Sequence, residues 1–345
     1  MTRGVVFALT SAALFGASTP LAKLLIDDVD PALLAGLLYL GSGLGLTLVR
    51  LARPGVSAPM SRTDRGWLAG AIVLGGILGP LLLMRGLART PASVAALLLN
   101  AEAVLTAVLA WVAFHENVDR RIAAGMLAIV AGALVLSWSG PTGIGPWDGP
   151  LSILGACLCW ALDNNLTRKV ALADPLQIAR WKGLAAGLAN TVLALAVGAS
   201  LPSAATVGAA GVVGFFGYGI SLVLFVLALR DLGTARAGAY FSAAPFVGAL
   251  VAIILLAEPL TLRLGIAGAL MGFGVWLHLT ERHDHRHAHP AIAHNHAHDH
   301  DAHHDHAHEH EQGDGHGPHS HWHRHAPVTH RHPHYPDSHH RHPHG

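Results

Sequence analysis

Charged residues are scarce in this chain. Only 12% of its 345 residues are Asp, Glu, Lys or Arg, and 52% are hydrophobic, whereas about 25% of residues are charged in ordinary soluble domains. The scarcity is sharper in residues 1–281, which hold almost all of the leucine, isoleucine and valine. This composition excludes an ordinary soluble domain and indicates a polytopic membrane protein followed by a polar tail.

Sequence motifs for catalysis and redox chemistry are also missing. The two cysteines, Cys157 and Cys159, lie in one apolar segment, where a C-x-C pair is more often packed than bonded to a metal. The chain has no nucleophile motif, no phosphate-binding loop and no H-E-x-x-H zinc motif. We therefore expect no enzyme activity, no required cofactor and no nucleic-acid partner.

Apolar segments of about 20 residues, long enough to cross the hydrocarbon core, recur along residues 4–281. They run without two-residue alternation, which excludes a membrane β-barrel and leaves helices. Their high glycine and alanine content suits close helix packing in lipid. The fold predicted is an all-α membrane protein with ten transmembrane helices, at 4–26, 31–52, 67–87, 92–114, 120–138, 149–171, 176–199, 207–229, 234–256 and 262–281.

The ten helices are predicted to be two copies of one five-helix unit, at 4–138 and 149–281, followed by a tail at 282–345. FGASTPLAK, which starts at Phe15, aligns with WALDNNLTR, which starts at Trp160. The fourth helices align so that Glu116 matches Glu258. Because five is odd, the second copy enters the membrane inverted, as in transporters that hold their substrate between two halves.

The placement of basic residues predicts which side of the membrane each loop occupies. With the N-terminus inside, basic residues are concentrated at the cytoplasmic ends, so we expect an inner (plasma) membrane protein with both termini cytoplasmic. The predicted cytoplasmic residues are Arg3, Arg50, Arg53, Arg62, Arg65, Arg120, Arg121, Arg168, Lys169, Arg180, Lys182, Arg230 and Arg236, against Lys23, Arg85, Arg89 and Arg263 outside.

With this pattern, residues 4–281 resemble the drug/metabolite transporter superfamily, in particular its EamA-type ten-helix members. The resemblance rests on the duplicated five-helix unit, the glutamate that closes each fourth helix, and the glycine-rich fifth helix that follows. It implies a secondary transporter of small metabolites, often an exporter, that works by alternating access and has no catalytic site. The first half departs from the pattern, with Asn117 where the second half has Pro259.

Two acidic residues lie inside predicted helices, where a charge costs at least about 2.5–3.5 kcal/mol. Glu102 is midway along the fourth helix and Asp163 is in the sixth, so the pair comes from opposite halves. We expect a transport path that includes Glu102 and Asp163 together with Asn100, Asn164 and Trp160, and that binds a proton or a cation. The alternatives are that the carboxyl groups only form hydrogen bonds between helices and that Trp160 packs in the core.

The tail contains 25 of the 27 histidines, and from His283 to His310 they occur mostly as H-x-H, with Asp and Glu interspersed. It has no apolar periodicity, so we expect it to be disordered. Neutral imidazole binds Zn, Ni, Co and Cu, and a flexible chain favours loose binding at many sites. The predicted ligands are His283, His285, His287, His289, His294, His296, His298, His300, His303, His304, His306, His308 and His310.

The leading hypothesis is an exporter of a small metabolite or a divalent cation, embedded in the lipid bilayer, with a cytoplasmic metal-binding tail. A dedicated Ni, Co or Zn efflux transporter is one alternative. A membrane-anchored metal store or sensor is another, although an anchor requires only one span. The sequence leaves open whether two copies of the chain form a homodimer.

Overall fold

The computed structural model describes residues 3–52, 62–114, 120–137, 147–168, 170, 174–232 and 234–280, and residues 284–289, 292–298, 319–325 and 328–333 of the tail. The chain divides into a helical unit, Met1–Glu281, and a tail unit, Arg282–Gly345.

The first half of the helical unit contains five spans, and the third and fourth of them are interrupted. A π-helical turn, Ile72–Leu78, joins the two parts of the third span, and a two-residue turn at Leu99 and Asn100 divides the fourth. In chain order the helices are α1 Arg3–Leu25, α2 Pro31–Ala52, α3 Arg62–Ala71, α4 Gly79–Ala88, α5 Ala92–Leu98, α6 Ala101–Phe114 and α7 Arg120–Ser137.

The second half repeats this order and its interruptions. A π-helical turn, Phe215–Ile220, lies in the eighth span, and the ninth span is divided at Ser242 and Ala243. The helices are α8 Asp148–Arg168, α9 Pro175–Ala196, α10 Ala204–Gly214, α11 Ser221–Leu232, α12 Thr234–Phe241, α13 Ala244–Leu255 and α14 Leu262–Leu279.

The predicted all-α membrane fold is confirmed. Within residues 3–280, the described helices form ten spans that follow the predicted segments closely. By length and composition, six helical stretches can cross a membrane, and Ala244–Leu255 and Leu262–Leu277 are shorter apolar helices. The six are Arg3–Leu25, Pro31–Ala52, Thr63–Ala88, Ala92–Leu109, Arg120–Ser137 and Ala204–Ala228.

Short polar side chains begin several of the spans. Asp30 accepts hydrogen bonds from the amides of the first turn of α2, and Asp174 accepts one from the Leu176 amide at the start of α9. Ser203 and Thr261 do the same for α10 and α14. These caps satisfy amides that have no partner within their own helix, so they fix where each span begins.

Glycines bring the second and seventh spans, α2 and α9, into backbone contact. A Cβ atom on Gly183 would lie 2.5 Å from the Gly43 amide nitrogen and 3.0 Å from the Tyr39 carbonyl oxygen. A Cβ atom on Gly43 or Gly187 would overlap the backbone of the facing helix in the same way. Gly183 and Gly187 are four residues apart, on one face of α9, as in the small-xxx-small packing of membrane helices.

The described part of the tail contains four short strands, and the disorder expected of the tail stays a prediction. Strands β1 Asp284–His289, β2 Ile292–His298, β3 His319–His325 and β4 Val328–Pro333 pair antiparallel as β1 with β4 and β2 with β3. In this register His287 faces His330 and His296 faces His321. The alternation of histidine with other residues has the two-residue period of a strand, which permits backbone pairing without an apolar core.

We predict that Gly183→Ala destabilises the helical unit, because the new methyl group must push α2 and α9 apart at a backbone contact. Overpacking of this kind costs about 1–3 kcal/mol. The measurement is the midpoint of thermal unfolding in detergent, followed by size-exclusion chromatography. Gly208→Ala is the matched control, since a Cβ atom there meets nothing within 4 Å. Equal midpoints for the two variants would contradict the prediction.

Candidate functional site

The π-helical turn of the third span, Ile72–Leu78, is held by side chains from three other helices. The Gly75 carbonyl oxygen accepts hydrogen bonds from the Tyr39 hydroxyl and the Trp160 indole N–H, both at 2.9 Å. The Gly76 carbonyl oxygen accepts one from Asn190 Nδ2 at 3.1 Å. Because π-helical turns are frequent at functional sites, this junction of α2, α8 and α9 is where the site is built.

A buried ion pair lies against this turn. Lys182 Nζ, on α9, donates to Asp163 Oδ1 at 2.8 Å and to Oδ2 at 2.6 Å, and the Thr167 hydroxyl donates to Oδ1 at 2.9 Å. Asp163 and Lys182 are each only 5% exposed. A Cβ atom on Gly75 would overlap the Asp163 carboxylate, so glycine at this position makes room for the ion pair.

Lys182 is a candidate site residue that the sequence analysis misplaced. We assigned it to the cytoplasmic end of its helix, whereas the structure puts it in the interior, paired with Asp163. Two signals were available. Pro175 begins α9, so Lys182 lies about two turns inside the helix. A lone aspartate within an apolar helix also needs a cationic or hydrogen-bonding partner, and Lys182 is the partner it has.

Glu102 and Asn164 form a second polar contact beside the ion pair. Glu102 lies in the first turn of α6, directly after the interruption of the fourth span. Its Oε1 accepts a hydrogen bond from Asn164 Nδ2 at 2.7 Å, and Asn164 follows Asp163 on α8. The structure thus brings Glu102 and Asn164 together, with Asp163 next to them.

Asn100 lies in the turn between α5 and α6 and is 2% exposed. Its Nδ2 donates to the Leu97 carbonyl oxygen at 2.9 Å. Its Oδ1 is buried and has no hydrogen-bond partner among the described residues. A buried acceptor without a partner is costly, so this amide oxygen is available to a donor that enters the interruption of the helix.

Aromatic rings from both halves meet next to these polar groups. The Phe15 ring centroid is 6.0 Å from that of Trp160, 5.9 Å from that of Tyr218 and 5.5 Å from that of Phe241. The Tyr39 and Tyr218 centroids are 5.3 Å apart. Tyr218 belongs to the second π-helical turn. Trp160 is therefore both part of this cluster and a hydrogen-bond donor to the first π-helical turn.

Glu258, at the end of the ninth span, binds the start of the fourth span in the other half. Its carboxylate accepts hydrogen bonds from the Ala92 amide at 2.7 Å, the Ser93 amide at 2.9 Å and the Ser93 hydroxyl. The preceding residue, Ala257, has φ of 51°, an unusual conformation for alanine. Glu258 therefore has a structural role, in which it joins the end of the ninth span to the helix N-terminus of the fourth. Glu116 lies outside the described residues.

The described side chains contain no group of three or more His, Cys, Asp or Glu residues placed to hold a metal ion. Of the predicted tail ligands, six lie in described strands. The other seven lie outside the described residues, namely His283, His300, His303, His304, His306, His308 and His310.

The helical unit matches a known protein family over both of its halves. The model of the EamA-like transporter family matches residues 2–138 and residues 147–280. An uncharacterized transporter from Methanothermobacter thermautotrophicus is 28% identical over 293 residues, which is 79% of this chain and 85% of that protein. One solved crystal structure is similar in fold, with a TM-score of 0.62 and 21% identity, over 81% of this chain and 99% of the other.

We predict that Lys182→Met is strongly destabilising, because among the described residues it leaves the buried Asp163 carboxylate with Thr167 as its one remaining donor. Breaking one side of a buried pair costs about 3–5 kcal/mol, whereas replacing both partners by apolar groups is often neutral. Lys182→Met combined with Asp163→Leu should therefore unfold at a higher temperature than Lys182→Met alone. Unfolding midpoints in lipid nanodiscs measure this difference.

The control for this comparison is Arg89→Gln, which breaks the more exposed ion pair between Arg89 and Asp148. An exposed pair contributes about 0–1 kcal/mol, so this variant should unfold close to the wild-type temperature. If Lys182→Met unfolds at the same temperature as Arg89→Gln, the buried pair contributes no more to stability than the exposed pair, which would contradict the prediction.

Proposed function

Because this chain belongs to the EamA-like transporter family and is a multi-pass membrane protein, we propose that it exports a small polar metabolite by alternating access. The family consists of transporters, and its members are not enzymes. We place the chain in the inner (plasma) membrane with both termini in the cytoplasm, on the basis of its positive-inside charge pattern.

The observation that carries this proposal is the polar site between the two halves. Glu102 lies on the first half, whereas Asp163 and Lys182 lie on the second, and interrupted helices meet beside them. Interrupted spans in corresponding positions of a repeat are where transporters of this architecture bind substrate. The site has both charge signs, aromatic walls and the side-chain carbonyl of Asn100, which has no partner within the described part of the chain. Such a site suits a polar organic molecule.

The same geometry disfavours the alternative of a dedicated Ni, Co or Zn efflux transporter. Lys182 donates to both carboxylate oxygens of Asp163, so a metal ion at Asp163 would have to displace the ammonium group. Glu102 alone supplies one carboxylate, which is too few ligands for a tight divalent site. We therefore assign Glu102 a role in the metabolite path, with Asn164 as its partner when substrate is absent.

For the tail we propose cytoplasmic binding of Zn, Ni, Co or Cu, through many neutral imidazoles at once. The support is the density of histidine in residues 283–344 and the alternation of histidine with carboxylates. In this role the tail buffers or senses a metal, and the helical unit carries the metabolite. The reading as an anchored store or sensor is disfavoured, because ten spans and a buried ion pair exceed what an anchor requires.

A sensitivity screen with metabolites and metal salts tests the transport function. We expect cells that lack the gene to be sensitised to a polar metabolite, and the full-length chain to restore growth. Glu102→Gln should lose this rescue at unchanged protein level, because it removes the carboxyl group of Glu102 and keeps the size of the side chain. Asp28→Asn, at an exposed loop residue, is the matched control. Rescue by Glu102→Gln at the wild-type level would exclude Glu102 from the path.

Metal binding by the purified full-length chain tests the role of the tail. The chain ending at Thr280 is the comparison, since it keeps the ten described spans. Competitive titration with Zn, Ni, Co and Cu should give several equivalents of bound metal for the full-length chain and a large loss for the truncated one. Equal binding by the two chains would end the metal hypothesis. Growth rescue from metals alone, and only by the full-length chain, would favour metal export.

A further inference from the structure

A cavity of about 130 Å³ lies where α2 ends and α9 begins. It is lined by Arg50, Asp174, Leu176, Gln177 and Arg180, and none of these residues belongs to the polar site between the halves. A water molecule requires only about 10–15 Å³ on this scale. The cavity therefore has room for a group of several heavy atoms.

The lining of this cavity is positively charged overall, since its two arginines outnumber its one aspartate. The carboxylate of Asp174 is already engaged at both oxygens. Its Oδ2 contacts Arg50 Nη1 at 3.4 Å, and its Oδ1 accepts a hydrogen bond from the Leu176 amide at 3.0 Å. The N-terminus of α9 adds a partial positive charge at the same place. The cavity therefore favours an anionic group.

Two polar atoms of the lining are buried and have no hydrogen-bond partner within the described part of the chain. They are the Nε atom of Arg180, which is a donor, and the Oε1 atom of Gln177, which is an acceptor. Such atoms are costly to leave unpaired. A ligand that fits the cavity therefore offers an acceptor to Arg180 and a donor to Gln177. A phosphate ester supplies the acceptor, and a hydroxyl group on the esterified alcohol supplies the donor.

The repeat shows that the fold does not require these two side chains. An aspartate caps both α2 and α9, and a proline follows it in each helix. Counted from the cap, the place of Gln177 is taken in α2 by Leu33, and the place of Arg180 is taken by Gly36. An equivalent span thus begins without either polar group, so helix formation does not explain them in α9.

Exposed apolar side chains place the cavity at the membrane surface. Leu51, which follows Arg50, is 71% exposed. Trp181, which follows Arg180, is 46% exposed, and its ring centroid lies 5.2 Å from the Arg180 guanidinium carbon. Tryptophan is enriched at the membrane–water interface, where arginines also extend towards the headgroups. Basic pockets between transmembrane helices at this level bind lipid headgroups.

We propose that this cavity binds the headgroup of an anionic phospholipid that has free hydroxyl groups, with the chemistry of phosphatidylglycerol. The phosphate accepts hydrogen bonds from the Arg180 guanidinium group, and a glycerol hydroxyl donates to Gln177 Oε1. Arginine suits this role because its planar fork of donors matches a phosphate group. The acyl chains then lie along the exposed side chains of Leu51 and Trp181. The site is separate from the transport path, so the proposal does not depend on the transported substrate.

Native mass spectrometry of the full-length chain, released from detergent, tests the proposal with short-chain phosphatidylglycerol and phosphatidylcholine. We expect one phosphatidylglycerol molecule to bind tightly per chain, and phosphatidylcholine to bind more weakly. Arg180→Gln should weaken the binding of phosphatidylglycerol by about tenfold, because it removes a charge-assisted hydrogen bond. Arg3→Gln is the matched control, since it removes the same charge at an exposed residue and should leave the affinity unchanged.

The hydroxyl contact is tested with phosphatidylmethanol, which has the same charge as phosphatidylglycerol but no free hydroxyl group. The wild-type chain should prefer phosphatidylglycerol, and Gln177→Leu should bind the two lipids equally because it removes the acceptor. Leucine is the residue at the corresponding place in α2, so we expect this variant to fold.

Equal affinity of the wild-type chain for phosphatidylglycerol and either comparison lipid overturns the proposal. So does an Arg180→Gln variant that binds as tightly as Arg3→Gln, or a Gln177→Leu variant that keeps the preference for phosphatidylglycerol. Displacement of the lipid by an equal concentration of inorganic phosphate assigns the cavity to a free anion and overturns the lipid assignment as well. Monodisperse elution of each variant confirms that the affinities come from folded protein.

Discussion

The crossing of α2 and α9 is the contact on which the rest of the helical unit depends. Gly43 on one helix and Gly183 on the other bring two backbones to a separation that no side chain permits. In lipid there is little hydrophobic drive between helices, so this close packing supplies the attraction. Lys182 directly precedes Gly183, and the crossing therefore carries a lysine into the interior of the protein.

The buried lysine in turn determines the chemistry around it. An ammonium group removed from water must be neutralised and hydrogen-bonded, and Asp163 with Thr167 on α8 does both. The pair needs room, which Gly75 in the π-helical turn provides. Replacing such a pair by apolar residues is often neutral or stabilising, so the burial of this pair does not by itself indicate a stabilising role. The neighbouring Glu102 and Asn164 extend the same polar region across the boundary between halves.

The two halves share their backbone geometry but differ in their charges. Both have a π-helical turn in the third span and an interruption in the fourth. Gly217 in the second turn packs against Ser18, as Gly75 in the first packs against Asp163, and Ser18 is the repeat-equivalent of Asp163. The Ser18 hydroxyl donates to the Phe15 carbonyl oxygen of its own helix. The repeat thus supplies two equivalent backbone frames, and the buried Asp163–Lys182 pair lies against one of them.

The sequence by itself determined the fold class, because long apolar segments must become helices in lipid and because the duplicated pattern is visible in the residues. It also identified Glu102, Asp163, Asn164 and Trp160 as unusual, since charged and polar groups in apolar segments require a reason.

The sequence did not reveal the π-helical turns, which depend on side chains of other helices that hold the Gly75 and Gly76 carbonyls. Nor did it find the role of Lys182. A basic residue near a helix end satisfies the charge rule equally well at the interface or in the core. Only the tertiary structure decided between these, because the glycine contact between α2 and α9 sets how deep Lys182 lies and which carboxylate it meets.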